Sequence, residues 1–230
     1  KRQVFTHTAN PGLIRRDLLG IEKSQAALDA VPADTLAGYC EQAAELFMHE
    51  ELPVGDGTQG PQDYVEALSA LTKLPHTLVR MNMGKIHAAM SQIRTVIGGL
   101  TRNLPLELFD RGLSTLGDLE VNYYPVTEAL GVSLPSNAPA VNSLWLPAPV
   151  LKIPVLLKPG REDPFTPLRI VQALIAAGFP KEAFGFYPTT HEGGDTILMT
   201  CGRGIAFGSD ATVRKYAGFP SIQVLSLIHI

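Results

Sequence analysis

Apolar residues in the first part of the chain recur every three to four positions. Leu36, Cys40, Ala43 and Phe47 form one such run, and Leu78, Ile86, Met90, Ile93 and Ile97 form another. That rhythm predicts helices with one buried face, so residues 1–104 read as a helical segment. Pro32 before the first run and Gly98 with Gly99 after the last are the expected start and stop signals. Residues 53–60, rich in Gly and Asp, read as a loop. The Met and Leu stripe between 78 and 97 reads as core packing rather than as a cofactor box.

From residue 119 the texture changes to strand formers punctuated by proline. Val121, Tyr123 and Val126 lead to an apolar run over residues 129–134 that Pro135 ends. A second strand is expected over 155–158; Pro154 beside it suits either a strand that starts late or an edge strand. The best-defined helix follows, with Thr166 as N-cap, Pro167 in its first turn, an apolar face of Leu168, Val171, Leu174 and Ile175, and Gly178 as stop. A short aromatic strand over 183–187 comes next. A Thr and Gly-rich loop, a short apolar segment over 196–200, a strand over 204–207 and a helix over 211–216 complete the pattern. Strand and helix alternate with short connections, which predicts an α/β fold: a Rossmann-like, mostly parallel sheet with flanking helices, binding its ligand at the carboxyl ends of the strands.

Composition narrows the possible partners. The chain has 230 residues, 45% of them hydrophobic and 18% charged, enough apolar content to bury a sizeable core. Its net charge is -3 and its 19 Lys and Arg are scattered, so no basic field is available to hold nucleic acid. No apolar run reaches the roughly 18 residues of a membrane span, and the first seven residues lack the apolar stretch of a signal peptide. Cys40 and Cys201 lie far apart without CxxC spacing, which signals neither zinc nor a disulfide framework. A soluble cytoplasmic protein is the expectation.

Common catalytic signatures are missing. Gly202, Gly204 and Gly208 give GxGxxxG around a short strand instead of GxGxxG between strand and helix. There is no GxxxxGK, HExxH or GxSxG, and the six histidines form no ligand pair, so no metal is expected. His87 on a helix and His191 in a loop read as surface polar residues. Lys158 is more informative. A lysine ending a parallel strand points into the ligand crevice, where its ammonium can donate to ribose hydroxyls or phosphate; the alternative is a surface lysine finishing an edge strand. Gly208 and Ser209 follow another strand and open a helix, a place where free backbone N–H groups and a hydroxyl suit a pyrophosphate. Asn137, between Pro135 and Pro139, is either an amide donor held rigidly for an oxyanion or an ordinary turn residue.

Three stretches taken in order, PSNAPAVNSLW (135–145), LLKPGREDPFTPLRIVQALIAAGFP (156–180) and IAFGSDATVRKY (205–216), resemble the aldehyde dehydrogenase superfamily. The shared elements are a Pro-x-Asn-x-Pro segment, a Lys-Pro segment leading to a proline-started helix that ends in Ala-Gly-Phe-Pro, and a Gly-Ser turn. The resemblance implies an NAD- or NADP-dependent oxidoreductase. Lys158 would contact the adenosine ribose, Gly208 and Ser209 the pyrophosphate, and the backbone of Leu134, Pro135 and Ser136 the nicotinamide side. Asn137 would take the oxyanion-stabilising role, and residues 119–124 would lie near an oligomerisation hairpin, implying a homo-oligomer when complete.

Departures from the family pattern sharpen the expectation. Arg161 stands where many NAD-preferring relatives carry a ribose-binding glutamate, which makes a 2'-phosphate, and so NADP, an alternative cofactor. Ser136 replaces an aromatic residue, and the turn reads Ala-Phe-Gly-Ser. The resemblance divides the chain into a helical part of the cofactor domain (1–104) and a Rossmann-like core (105–224), with the nucleophilic cysteine and the base glutamate expected beyond the Gly-Ser turn in a catalytic domain absent here. Cys40 and Cys201 read as small core residues. The closing LSLIHI (225–230) matches no expected continuation and reads as a non-native tail. The expectation is therefore a fragment of an enzyme whose complete form oxidises an aldehyde to an acid through a cysteine thiohemiacetal. The alternatives are a dinucleotide-binding module without catalysis and a relative of the acyl-CoA or acyl phosphate reductases.

Overall fold

A computed structural model describes residues 6–226. Its first part is helical: α1 (Pro11–Leu18), α2 (Ile21–Asp29), α3 (Ala33–His49), α4 (Pro61–Thr72), α5 (His76–Ser91) and α6 (Ile93–Thr101). Leu36, Cys40, Ala43 and Phe47 are fully buried along α3, as their spacing requires. Pro32 precedes that helix but supplies no side-chain cap; the Ala33 N–H instead donates to Asp110 Oδ1 at 3.0 Å.

Two details of this part differ from the sequence expectation. Gly98 and Gly99 do not stop the last helix, which runs on to Thr101 and ends where Arg102 and Asn103 take φ of 57° and 59°. Burial of Ile93, Ile97 and Thr101 on one face outweighs a glycine cost of about 1 kcal/mol each. Residues 53–60 are not a plain loop either. They hold most of an antiparallel hairpin, β1 (Leu52–Val54) with β2 (Gly57–Gln59), turned by Gly55 at φ 58°.

The short α7 (Leu108–Arg111) leads to a second antiparallel hairpin, β3 (Leu113–Leu116) with β4 (Leu119–Asn122). Leu113, Leu119, Tyr124 and Val126 on and beside it are each more than 60% exposed, an unusual concentration of apolar surface.

The remaining elements are β5 (Ala129–Ser133), α8 (Pro147–Val150), β6 (Val155–Lys158), α9 (Phe165–Ala177), β7 (Phe184–Phe186), α10 (His191–Thr200), β8 (Gly202–Gly208), α11 (Asp210–Tyr216) and β9 (Ile222–Ser226). The five strands form one parallel sheet in the order β7-β6-β5-β8-β9. The chain winds outward from β5 in one direction and then returns to its other side. This creates the switch point at which open α/β sheets leave a crevice beyond the strand ends. On one face α3 packs against α9 over the main core, which includes Phe47, Trp145, Leu157 and Leu174. On the other, α1 and α10 cover Ala129 and Leu156.

Several sequence expectations are corrected here. β6 lies between β5 and β7, so the edge-strand alternative for Lys158 fails. The Thr and Gly-rich loop and apolar segment over 188–200 hold a ten-residue helix, α10. Its two glycines hid it, yet one of them is needed for space: a β-carbon at Gly193 would stand 2.0 Å from Thr189 Oγ1, and Ile197 and Leu198 bury the helix's inner face. Thr166 is not the N-cap of α9. The Asp163 carboxylate accepts from the Thr166 N–H at 3.0 Å, and the Thr166 hydroxyl pairs with Tyr64 Oη at 2.7 Å. Leu225 and Ser226 pair with Phe207 and Gly208, so these two of the six residues set aside as a tail belong to the sheet; residues 227–230 lie outside the described residues.

Candidate functional site

The parallel register sets three strand ends in one row, with Ser133 opposite Lys158 on one side and opposite Ala206 on the other. The loops that continue from β5 and β6 are locked together. Leu134 N–H donates to the Lys158 carbonyl at 2.9 Å, and Glu162 N–H donates to Ser136 Oγ at 3.1 Å. Gly160 allows this, since its missing β-carbon would stand 2.4 Å from the Pro135 carbonyl oxygen. The backbone of one loop thus rests directly on the backbone of the other.

Above this row opens a cavity of about 880 Å³, bounded by the β5 and β6 loops, the start of α10, the end of β8 and one face of α11. Such a volume is at the upper end of small-molecule sites. Leu134, Pro135, Ser136, Lys158 and Arg161 line it. Asn137, Gly208 and Ser209 do not, although Asn137 and Gly208 each adjoin a lining residue in sequence; Asn137 and Ser209 are exposed and Gly208 is half-buried.

Charge in the cavity is mixed. Burial lowers the pKa of the half-buried Lys158 ammonium, and the nearby Glu162 carboxylate opposes that shift. Glu162 itself is held below the usual carboxylate range, first by its side-chain hydrogen bond with Ser136 and then by Arg161 and Lys158. The Lys158 stem lies beside Gly194 of α10, 3.4 Å from where a β-carbon would be, an ordinary van der Waals contact. On the opposite side Lys215 Nζ donates to both oxygens of Asp195 at 2.6 Å, and Tyr216 Oη also donates to Asp195.

Neither cysteine faces this cavity. Cys40 is packed within α3 and Cys201 lies at the opposite end of the sheet, with burial pushing both thiols up to about 12. Thiolate character is suppressed at both, so they behave as the small core residues their sequence context predicted.

The architecture is matched by solved structures. An NAD-dependent benzaldehyde dehydrogenase from Corynebacterium glutamicum superposes with a TM-score of 0.71 at 18% identity, covering 96% of this chain and 47% of that one. The chain has the aldehyde dehydrogenase fold. An aldehyde dehydrogenase from Brucella melitensis biovar abortus 2308 gives a TM-score of 0.72 at 15% identity, covering 95% of this chain and 44% of the other. Succinate-semialdehyde dehydrogenase from Burkholderia pseudomallei gives 0.70 at 15% identity, covering 93% and 43%. The chain thus spans less than half the length of these proteins of aldehyde dehydrogenase fold. By sequence it matches no family model and no curated protein.

Sequence reasoning missed several lining residues: Glu162, Thr189, Asp195, Thr212, Lys215 and Tyr216. Glu162 was within reach, being next to Arg161 in the same loop. Asp195 was hidden with α10, and Lys215 reads as an ordinary solvated charge until its helix is placed over the cavity.

Proposed function

We propose that the cavity holds a nicotinamide dinucleotide, NAD or NADP, and that this chain is the cofactor-holding part of an NAD(P)-dependent aldehyde dehydrogenase-like oxidoreductase. The observation that carries this reading is the half-buried Lys158 at the floor of a large cavity at the sheet's switch point. The residues present fit the group. Lys158 and Arg161 supply cations for ribose hydroxyls and phosphate, Glu162 an acceptor, and Gly160 the close approach of the two loops beneath them. A bound nicotinamide would supply hydride acceptance.

In this assignment Lys158 donates to the adenosine ribose, while Leu134, Pro135 and Ser136 present backbone to the nicotinamide side. Gly208 and Ser209, just outside the lining, serve the pyrophosphate, and the exposed Asn137 offers its amide to an oxyanion. The substrate of the whole enzyme is an aldehyde, and the apolar β3–β4 hairpin is its self-association surface. Two buried thiols suit the reducing cytoplasm; no helix among the described residues is long and apolar enough to cross a membrane.

Because both thiols are buried away from the cavity, the 230-residue chain binds dinucleotide without turning aldehyde over. The test is a fluorescence titration with NADH and NADPH beside an aldehyde oxidation assay. Saturable binding below about 1 mM, the upper end of ordinary enzyme affinities, with no turnover is expected. Absence of binding for both would overturn the cofactor assignment, and steady NAD(P)H formation would overturn the inactive status.

A further inference from the structure

A further cavity, of about 500 Å³, opens at the end of the sheet opposite Lys158, where β5 and β8 begin and where α1 gives way to α2. Its floor is apolar: Ile21, Ala129 and Cys201 are 8%, 1% and 2% exposed, and they continue inward into the smaller core with Ile14 and Ile197. Leu19, which also lines the cavity, is 87% exposed. The floor is fixed in advance of any ligand. The Thr127 hydroxyl lies 2.7 Å from the Ala129 carbonyl and 2.6 Å from the Cys201 carbonyl, so one side chain ties the start of β5 to the start of β8. Gly202 permits that tie: it takes φ of 75°, and a β-carbon there would fall 2.8 Å from the Thr127 hydroxyl oxygen.

Two charges of opposite sign line this hollow. Arg15 comes from the last turn of α1 and Glu128 stands just before β5, both exposed. Neither forms an ion pair among the described residues, with the other or with a third group, whereas the adjacent Arg16 is paired with Asp17. A ligand bearing only a carboxylate would be attracted by Arg15 and repelled by Glu128; one bearing only an amine would meet the reverse. A zwitterion satisfies both charges, and an apolar group between them covers the floor and Leu19.

We propose that this hollow is a binding site for a free α-amino acid with a medium-sized apolar side chain. Its carboxylate meets Arg15, its ammonium meets Glu128, and its side chain rests on Ile21, Ala129 and Cys201. The two ligand charges sit on one carbon, which distinguishes a free amino acid from a residue within a peptide. The site lies at the far end of the sheet from Lys158 and is independent of the dinucleotide reading.

The test is calorimetric titration of the full chain with L-leucine, N-acetyl-L-leucine, L-leucinamide and glycine. Leucine is expected to bind saturably with a Kd of about 1 mM or below. The other three lack the ammonium, the carboxylate and the side chain in turn, and each should bind at least about fivefold more weakly, the loss of one charge-assisted hydrogen bond or one buried apolar group. Arg15→Gln and Glu128→Gln change exposed positions and should melt as wild type, yet each should weaken leucine by at least about fivefold. Absence of saturable leucine binding up to about 10 mM overturns the proposal. Equal affinity for N-acetyl-leucine or leucinamide overturns it by removing the need for a zwitterion, and equal affinity for glycine overturns it by removing the floor. Unchanged leucine affinity in both variants places the ligand elsewhere and overturns the site.

Discussion

Gly160 approaches Pro135 so closely that an added β-carbon would lie 2.4 Å from the proline's carbonyl oxygen and 2.7 Å from the Ser136 nitrogen. Both obstacles are backbone, so nothing can swing aside. Gly160→Ala must therefore push the β6 loop off the β5 loop, at a cost of about 1–3 kcal/mol for overpacking. Thermal unfolding should show that loss. Dinucleotide titration should show weaker binding than the stability change alone accounts for, because Lys158 and Ser136 move apart. A variant with wild-type melting and binding would show that the loops are not locked as described.

Arg161 and Glu162 line the same cavity with opposite charge. An arginine favours a 2'-phosphate, and a glutamate accepts from a free ribose hydroxyl. Arg161→Glu should weaken NADPH binding by roughly tenfold and leave NADH nearly unchanged, while Glu162→Gln should weaken NADH more than NADPH. Parallel titrations of the two cofactors decide it; equal effects on both would remove these residues from cofactor discrimination.

Asp163 caps α9 through Oδ1, but its Oδ2 is buried without a partner among the described residues, and burial raises its pKa from 3.8 to about 6. The folded state therefore favours the protonated form. Stability from this group is fully present below about pH 4 and is lost as the pH rises through about 6, a swing on the order of 3 kcal/mol. Asp163→Asn keeps an oxygen for the Thr166 N–H and cannot ionise. Its denaturation curves should gain on wild type between pH 4 and 7; a difference that does not change with pH would refute the assignment.

Arg169 is fully buried and, among the described residues, forms no ion pair with a carboxylate. Its guanidinium donates to the carbonyls of Phe47 at 3.0 Å, Gln59 at 2.6 Å and Glu50 at 2.7 Å, tying the end of α3 and the β1–β2 hairpin to α9. The partial negative charge at a helix C-terminus stands in for a counter-ion. Arg169→Met removes the donor from two buried carbonyls and one part-buried carbonyl and should cost about 3–5 kcal/mol in urea unfolding. A loss under 1 kcal/mol would mean that water reaches those carbonyls.

Legibility followed the strength of local signals. β6, α9 and the Gly178 stop could be read because proline, glycine and apolar spacing agree there; Gly178 has φ 121° and an added β-carbon would meet the Tyr39 ring. The floor of the site could be read for the same reason, since Lys158 ends a recognisable strand. α10 could not, because two adjacent glycines lower its helix propensity, and Gly193 is required by its contact with Thr189, which no local pattern announces. Arg169 gave no signal at all: a charge inside an apolar helix pattern declares its burial only when the carbonyls around it are placed. Lys215 and Asp195 likewise acquire meaning only through the crossing of two helices.

The most direct test of the account is hydrogen exchange on the full chain with and without saturating NADPH or NADH. Slowed exchange should concentrate in residues 133–137, 158–163, 191–196 and 206–216, the segments that bound the cavity, with little change in the β3–β4 hairpin. Protection elsewhere, or none at ligand concentrations that saturate the titration, would contradict the placement of the dinucleotide over Lys158.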